Sequence, residues 1–254
     1  MVIVISGIIG GIVAVFLKTP IQQYMDTSRR VDMTDIADTA LRRIGRDVRL
    51  ALPNSVRVTT TGSGASTVYY LDFLATTGGG RYRRGLGGSD DYLNFTANDS
   101  SFEVLGAMPS FSAGDQLVVY NLGIAPADAY VPGNNNRTTW LSTNTATSII
   151  SFTPKKFPFE SPSARFQVVH EQVRYICDPA AHTLTRYSLG TAIVVPSPVV
   201  PAVTGRLLAN NVSSCRFAYD AISQRDGLVT MNLGITESGE TVTLYSATHV
   251  SNLP

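Results

Sequence analysis

The chain opens with an apolar run and then changes to a mixture of apolar and charged positions. Residues 1–17, MVIVISGIIGGIVAVFL, carry no charged side chain. After Lys18 and Pro20, apolar residues recur every three to four positions as far as Leu52, with charged residues between them. This is the pattern of an amphipathic helix, and Pro53 favours its end. The pattern predicts one long helix over residues 1–52, with an apolar half at 1–20 and an amphipathic half at 21–52.

The rest of the chain, residues 53–254, has the pattern of β-strands. Short runs rich in Val, Thr, Tyr, Phe and Ile alternate with clusters of Gly, Pro, Asn, Asp and Ser, which is typical of antiparallel sheets joined by turns. Strands are predicted at 56–61, 68–74, 92–95, 116–121, 148–153, 165–169, 173–177, 183–187, 214–219, 228–233 and 241–246. The predicted fold class is α+β, a long N-terminal helix packed on an antiparallel β-sheet head through Ile36, Leu41, Ile44 and Val48.

The apolar run has nearly the length of a membrane helix. At ~1.5 Å per residue it spans roughly 25 Å, slightly less than the ~30 Å hydrocarbon core of a bilayer. No basic segment precedes it and no small-residue cleavage site follows it, so a secretory signal peptide fits poorly. We expect a membrane helix of which a short first part lies upstream of residue 1.

Gly7, Gly10 and Gly11 form a group of small residues within this run. Small residues at such spacing allow helices to approach closely in lipid, so these three are predicted helix–helix contacts. Two alternatives stay open. Glycine is common in membrane helices generally, and each glycine weakens a helix by up to about 1 kcal/mol relative to alanine, so the segment could instead melt locally.

Composition narrows the range of partners. Charged residues make up 15% of the chain and the net charge is +1, against a charged fraction of roughly 25% in ordinary soluble domains. A chain so close to neutral has no overall electrostatic preference for nucleic acid. We therefore expect no nucleic-acid partner.

Catalytic and metal-binding motifs are not found in the sequence. The histidines, His170, His182 and His249, are far apart and are expected at strand ends or on the surface. Asp90, Asp91 and Asp99 could contribute to a calcium site, but they lack EF-hand spacing and a solvated acidic turn is favoured. The sequence predicts a protein that is not an enzyme and that needs no cofactor or metal.

One basic cluster is a candidate ligand site. Arg81, Tyr82, Arg83 and Arg84 lie in a glycine-rich segment at 78–91, and arginines with an interleaved aromatic residue could contact an anion. The neighbouring aspartates and the near-neutral chain favour the alternative, a solvated flexible loop.

The two cysteines, Cys177 and Cys215, both lie in the C-terminal half and do not form a C-x-x-C pair. In an exported protein two cysteines suggest one disulfide, whereas two free buried thiols are the alternative. A bond between them would close a loop of 38 residues, which the chain-entropy treatment values at roughly 3–4 kcal/mol.

The order of these features resembles the type IV pilins and pseudopilins, and the opening run is similar to the segment that follows the family's Phe-Thr-Leu-x-Glu start. In the C-terminal half, VRY at 173–175, LTR at 184–186, LLANNV at 207–212 and CRFAYD at 215–220 resemble the J-type minor pseudopilins of type II secretion. The stretch QQYMDTSRRVDMTDIADTALRRIGRDVRLALPNSVRV and the ending SGETVTLYSATHVSNLP are more similar to the O-type minor pilins of mannose-sensitive haemagglutinin (MSHA) pilus systems of aquatic gammaproteobacteria.

The resemblance implies a minor pilin or pseudopilin that helps to initiate or cap an MSHA-type type IV pilus. Its partners would be other minor and major pilins, through the N-terminal helix, and inner-membrane lipid before assembly. It would cross the inner membrane once with its head in the periplasm, and later stand in the filament at its tip. Lys18, Arg29 and Arg30 alone would favour a cytoplasmic head by the positive-inside rule, but the resemblance and the expected disulfide favour the outside.

Three other functions are compatible with the sequence. The first is a pilus-tip adhesin or ligand-binding module that binds a surface ligand through the segments 78–91 and 134–136. The second is a minor pseudopilin of type II secretion. The third, an anchored hydrolase, is the weakest because no nucleophile–base motif is visible.

Overall fold

The structure is a computed structural model that describes residues 2–85, 91–134, 136–223 and 225–254; the side chains of helix residues 2–3, 8–10 and 12–22 lie outside the description. One long helix, α1 (Val2–Val48), is followed by a 3₁₀ turn (Gly64–Ser66) and by strands. The strands are β1 (Arg57–Thr61), β2 (Val68–Tyr82), β3 (Asp99–Leu105), β4 (Gln116–Val119), β5 (Arg137–Asn144), β6 (Ile149–Lys155), β7 (Arg165–Asp178), β8 (Thr183–Ser188), β9 (Arg206–Ala209), β10 (Val212–Ala221), β11 (Asp226–Glu237) and β12 (Glu240–Ser251).

The strands form two antiparallel sheets. The larger sheet has nine strands in the order β1-β2-β3-β6-β5-β4-β7-β8-β9, and the smaller has three in the order β10-β11-β12. An additional pairing of β2 with β7 closes the middle of the larger sheet on itself. The strands β2, β3, β6, β5, β4 and β7 therefore make a closed six-stranded ring, with β1 attached to β2 and with β8 and β9 attached to β7.

The two longest strands of the larger sheet, β2 and β7, belong to both parts of the head. They pair from Tyr69 opposite Cys177 to Arg81 opposite Arg165. The first half of β2 and the second half of β7 form one end of this ribbon, which is flanked by β1 and β8. The other end is flanked by β3 and β4 and closes the ring. Shifts in register on either side of Thr76 mark the transition, since an irregularity of this kind bends a strand and increases its twist.

The first core lies between the helix, the β1–β2–β7–β8–β9 part of the larger sheet and the smaller sheet. The helix contributes one buried face with a spacing of three to four residues: Met33, Ala37, Ala40, Leu41, Ile44 and Val48. Phe73 from the larger sheet and Met231 from the smaller sheet belong to the same cluster. At Gly45 a Cβ would lie 2.9 Å from Thr248 Oγ1, so a residue without a side chain lets the helix approach β12 closely.

The second core fills the six-stranded ring and is rich in aromatic residues. Phe102 lies at its centre, with ring centroids 5.1 Å from Phe166 and 5.6 Å from Phe152. A smaller cluster that includes Leu74 and Val169 lies where β2 and β7 pass from one core to the other. The part of the sequence between β2 and β7 therefore supplies an apolar interior of its own.

The predicted fold class, α+β with a long helix, first apolar and then amphipathic, packed on an antiparallel β-sheet head, is wrong. The described chain is mostly β, with 47% of residues in strands, one helix of seven or more residues and two sheets rather than one. Within the described residues no long apolar N-terminal helix is found. Helix α1 ends at Val48 rather than at residue 52.

The prediction of a single-pass inner-membrane protein is also overturned. Within the described part of the chain, no helix is both long enough and apolar enough to cross a membrane. The apolar run at residues 1–17 is shorter than the ~30 Å hydrocarbon core requires, and Lys18 ends it.

Errors in the strand predictions have a common origin. The strands β3, β5 and β9 are absent from the prediction, because they contain Ser, Thr, Asn and Arg residues that are also common in loops. The two runs at 165–169 and 173–177 are one strand, β7, and 92–95 is not a strand. A tight turn joins β11 to β12, where Ser238 and Gly239 both have positive φ.

Candidate functional site

The N-terminal part of the helix is the first candidate interaction surface. Its described side chains before residue 33 are exposed or partly buried, and Val4 is 65% exposed. At Gly7 and Gly11 no atom lies within 4 Å of the position that a Cβ would take. Gly10 falls among the positions whose surroundings are outside the description. The helix–helix contacts of Gly7, Gly10 and Gly11 stay a prediction, on a surface that is open in the single chain.

The C-terminal part of the helix is held in the first core. Of the four predicted helix–head contacts, Leu41, Ile44 and Val48 are buried there and Ile36 packs against it partly buried. Three further helix residues belong to the same buried face, and the helical spacing could have included them: Met33, Ala37 and Ala40. The helix is thus divided into an open part and a part bound to the head.

A polar network also ties the helix to the larger sheet. Asp47 Oδ2 accepts hydrogen bonds from the Tyr175 hydroxyl at 2.7 Å and from Arg186 Nε at 2.9 Å, and Arg186 donates a further bond to Glu171 at 2.8 Å. Burial raises the pKa of Tyr175, and the bond to Asp47 adds to this. Burial alone would lower the pKa of Arg186, but its bonds to Glu171 and Asp47 raise it overall. The network therefore favours neutral tyrosine and charged arginine.

The two cysteines form the predicted disulfide, and the alternative of free thiols is excluded. Cys177 lies on β7 of the larger sheet and Cys215 on β10 of the smaller sheet. The bond therefore links the two sheets that enclose the helix, next to the first core.

The predicted ligand loop is divided by the fold. Residues 78–82 are the end of β2 rather than a loop. Tyr82 is fully buried in the second core, and its hydroxyl accepts a hydrogen bond from the Ser161 N–H at 2.9 Å. Arg83 donates two hydrogen bonds to Glu103, at 2.8 and 3.0 Å. The prediction of Tyr82 and Arg83 as ligand contacts is wrong, because one fills the ring and the charge of the other is already matched.

Arg81 and Arg84 stay exposed, and the fold places Arg165 and Arg225 in the same region. We call these four residues, together with Tyr120, the arginine surface. Arg81 lies directly opposite Arg165 in the pairing of β2 with β7. Within the described residues none of the four arginines forms an ion pair.

Three adjoining clefts lie along the arginine surface. The first, of about 500 Å³, has Arg81 and Arg165 on its walls and three glycines, Gly78, Gly79 and Gly80, on its floor. The second, of about 360 Å³, lies beside Arg81 and Arg84. The third, of about 490 Å³, lies between Arg165, Arg225 and Tyr120. Neighbouring clefts share lining residues, so they lie side by side along this surface.

Sequence reasoning missed two of the four arginines of this surface, and Tyr120. Arg165 and Arg225 are isolated basic residues far from the 81–84 cluster, and their position beside it depends on the register of β2 with β7 and on the path of the smaller sheet. No local signal in the sequence identifies either of them.

The second predicted contact segment, at 134–136, does not present its described asparagine side chains to solvent. Asn134 and Asn136 are buried, and the Asn136 side-chain amide donates to Asn121 Oδ1 at 3.0 Å. Residue 135 lies outside the description. These side chains stabilise the connection between β4 and β5 and are poorly placed to contact a ligand.

The histidines are not brought together. His170 Nδ1 lies 2.7 Å from Oδ1 of the buried Asp115, His182 Nδ1 lies 3.1 Å from the Val212 carbonyl, and His249 is exposed on β12. Among the described residues no hydroxyl or thiol is hydrogen-bonded to the His170 ring, so the His170–Asp115 pair has no nucleophile beside it.

The acidic turn contains no metal-binding group in the part of the chain described. Asp90 falls in the segment 86–90, which is outside the description. Asp99 accepts hydrogen bonds from backbone N–H groups, at 2.7 Å from Asn94 and 2.8 Å from Ser100. Burial raises the pKa of Asp91, and the nearby acidic residues add to this. The carboxylates for which hydrogen bonds are resolved therefore act in local turn structure.

No protein-family model, curated protein or solved structure matches this chain significantly. Function is therefore inferred from the two surfaces described above, the open part of the helix and the arginine surface.

Proposed function

We propose that this protein is a filament-assembly subunit, a minor pilin or pseudopilin that helps to initiate or cap an MSHA-type type IV pilus. The observation that carries the proposal is the division of the single long helix. Residues 33–48 hold the head, whereas the described side chains before them are exposed or only partly buried in the single chain. A helix of this kind can bind neighbouring subunits without disturbing its own head.

The open part of the helix has the chemistry of a surface that becomes covered. Val4 and Ile5 are 65% and 55% exposed, and fully burying an aliphatic side chain of this size contributes roughly 1.5–3 kcal/mol. The open positions at Gly7 and Gly11 would let a neighbouring helix approach its backbone. Other minor and major pilins are the partners that the sequence resemblance favours.

The attachment of the helix to the head supports the same function. The buried helix face, the Asp47 network and the disulfide between the sheets all act within the region around the first core. A head fixed at three points follows the helix as a rigid body, so the position of the helix in a filament would set the position of the head.

Recovery of the protein in filaments tests the proposal. The variant Gly7→Leu/Gly11→Leu adds side chains that meet no atom of the single chain, and leucine is a better helix former than glycine. The head should therefore fold normally. The matched control Thr39→Leu places the same side chain at an exposed helix position within the head-bound part.

In a bacterium that assembles the pilus, we expect the double variant to be recovered in sheared filaments at least tenfold less than the unaltered protein, at equal cellular amounts. The control should be recovered normally. Equal recovery of the double variant and the control would show that the small-residue surface takes no part in assembly.

The alternative of a type II secretion minor pseudopilin rests on the J-type motifs at 173–175 and 184–186. Both alternatives use the same helix geometry, so genetic complementation separates them. Restoration of pili in a strain that lacks its minor pilin favours the first, and restoration of protein secretion in a strain that lacks its minor pseudopilin favours the second.

A further inference from the structure

The starting observation is a pair of like charges placed face to face. Arg81 on β2 and Arg165 on β7 are direct partners in the antiparallel register, and both are exposed. Like charges directly opposite one another destabilise a sheet. Within the described chain neither guanidinium has an ion pair or a side-chain hydrogen bond. The neighbouring Arg83, by contrast, forms an ion pair with Glu103.

The space beside this pair is kept open by the backbone. Gly78, Gly79 and Gly80 line the same cleft as the two arginines. A Cβ at Gly79 would lie 2.5 Å from the Phe166 carbonyl oxygen, so no other residue fits there without moving β7. The two guanidinium groups therefore border a cleft in which the glycine backbone is not covered by side chains. An oxyanion in this cleft could accept hydrogen bonds from both arginines.

The positive charge extends in both directions from this pair. Arg84 lies in the adjoining cleft, held by a hydrogen bond to the Ser161 carbonyl. Arg225 lies on the other side, across a cleft that also contains Tyr120 and the exposed Ile124. A row of arginines of this extent fits an extended ligand with several oxyanions better than a single small anion.

The surroundings favour one class of polyanion. Guanidinium groups match planar carboxylate groups and bind sulfate with two parallel hydrogen bonds, and Tyr120 and Ile124 offer apolar contact to sugar rings. Single-stranded nucleic acid binds chiefly by stacking its bases on several aromatic side chains. Among the described cleft residues Tyr82 and Phe166 are buried, so Tyr120 is the accessible aromatic ring. One ring is too few for such stacking. The net charge of +1 also gives no long-range attraction for nucleic acid.

We propose that the arginine surface binds an acidic polysaccharide through its sulfate or carboxylate groups, with the Arg81–Arg165 pair as the central contact. This site is distinct from the helix surface that carries the assembly function. Loss of one leaves the other intact, so the two proposals can fail separately.

Binding of size-defined oligosaccharides to the full chain tests the proposal. The probes are a heparin octasaccharide for sulfate, a hyaluronan octasaccharide for carboxylate, neutral dextran and an oligothymidine. The site variant is Arg81→Gln/Arg165→Gln. The control Arg206→Gln/Arg216→Gln removes the same charge from two exposed arginines on β9 and β10.

We expect one or both acidic oligosaccharides to bind and dextran not to bind, with an affinity that falls as salt rises because exposed charges are screened. The site variant should lose at least tenfold in affinity and the control less than twofold. Equal losses in the two variants would mean general charge attraction, and tighter binding of oligothymidine would point to nucleic acid. Either result, or no binding of either acidic probe, overturns the proposal.

A second variant checks the geometry without depending on a ligand. Arg165→Glu places a carboxylate opposite Arg81 and turns the like-charge pair into an opposite-charge pair, so the melting temperature of the free protein should rise. The same variant should lose binding of the acidic oligosaccharide. A melting temperature that falls, or binding that persists, would contradict the role given to this pair.

Discussion

Replacement of Ile44 by alanine tests how strongly the helix is held to the head. Ile44 is 0% exposed and lies in the core cluster that both sheets share with the helix. Removing a buried isoleucine side chain down to alanine costs roughly 2–5 kcal/mol, and most where the surroundings cannot collapse into the cavity. Here the Asp47 network fixes the helix to the larger sheet, and the disulfide fixes one sheet to the other.

The site therefore has little freedom to collapse, which places the expected cost at about 4 kcal/mol. Alanine is the better helix former by about 0.4 kcal/mol, which offsets a small part of this loss. We expect the free energy of unfolding to fall by roughly 3.5 kcal/mol. Val31→Ala is the matched control, because Val31 lies on the same helix but is 62% exposed, and its change should stay within about 0.5 kcal/mol.

Urea unfolding followed by circular dichroism and by tryptophan fluorescence measures both variants. The single tryptophan, Trp140, lies on β5 in the six-stranded ring and stacks on Phe111 at 5.1 Å. Because β2 and β7 pass through both cores, loss of the helix contact should shift the two signals together. A loss below about 1 kcal/mol, or a fluorescence transition unaffected by Ile44→Ala, would refute the packing described here.

Two further predictions follow from the contacts between the sheets and around the buried tyrosines. Cys177→Ser/Cys215→Ser should lower the free energy of unfolding by about 4 kcal/mol, since the disulfide closes a loop of 38 residues; an equal melting temperature with and without reductant would contradict this. Burial raises the pKa of Tyr82, Tyr130 and Tyr175, so the folded state favours the neutral phenols. Their contribution to the free energy of unfolding should be complete below the unfolded-state tyrosine pKa of about 10. It should be lost as pH rises from there through the higher folded-state pKa values. Melting temperatures from pH 8.5 to 11 would show this decline, which should be smaller in Tyr175→Phe, and a flat profile would count against it.

Part of the fold could be predicted because it depends on local spacing. The buried face of the helix repeats every three to four residues, so Leu41, Ile44 and Val48 could be assigned to the head from their positions alone. The hairpin of β11 and β12 could be predicted because Ser238-Gly239 is a turn sequence between two alternating strands.

The stretch at 76–163 lies largely in the six-stranded ring, and its strand pairing could not be predicted. A strand pattern with a period of two does not say which strand is the partner, so the sequence could not predict that β2 pairs with β7 and closes the sheet. The membrane-anchor prediction also failed, because an apolar run that is slightly too short still has the composition of a membrane helix.

The basic cluster shows most clearly what the sequence alone determined and what only the tertiary structure decided. The sequence identified a group of arginines at 81–84 as a candidate anion site, because composition and spacing are local properties. The tertiary structure buried Tyr82, paired Arg83 with Glu103, and set Arg165 opposite Arg81. The physical reason is register: which side chains meet across two strands depends on the contacts of the whole sheet, and the sequence of either strand does not contain that information.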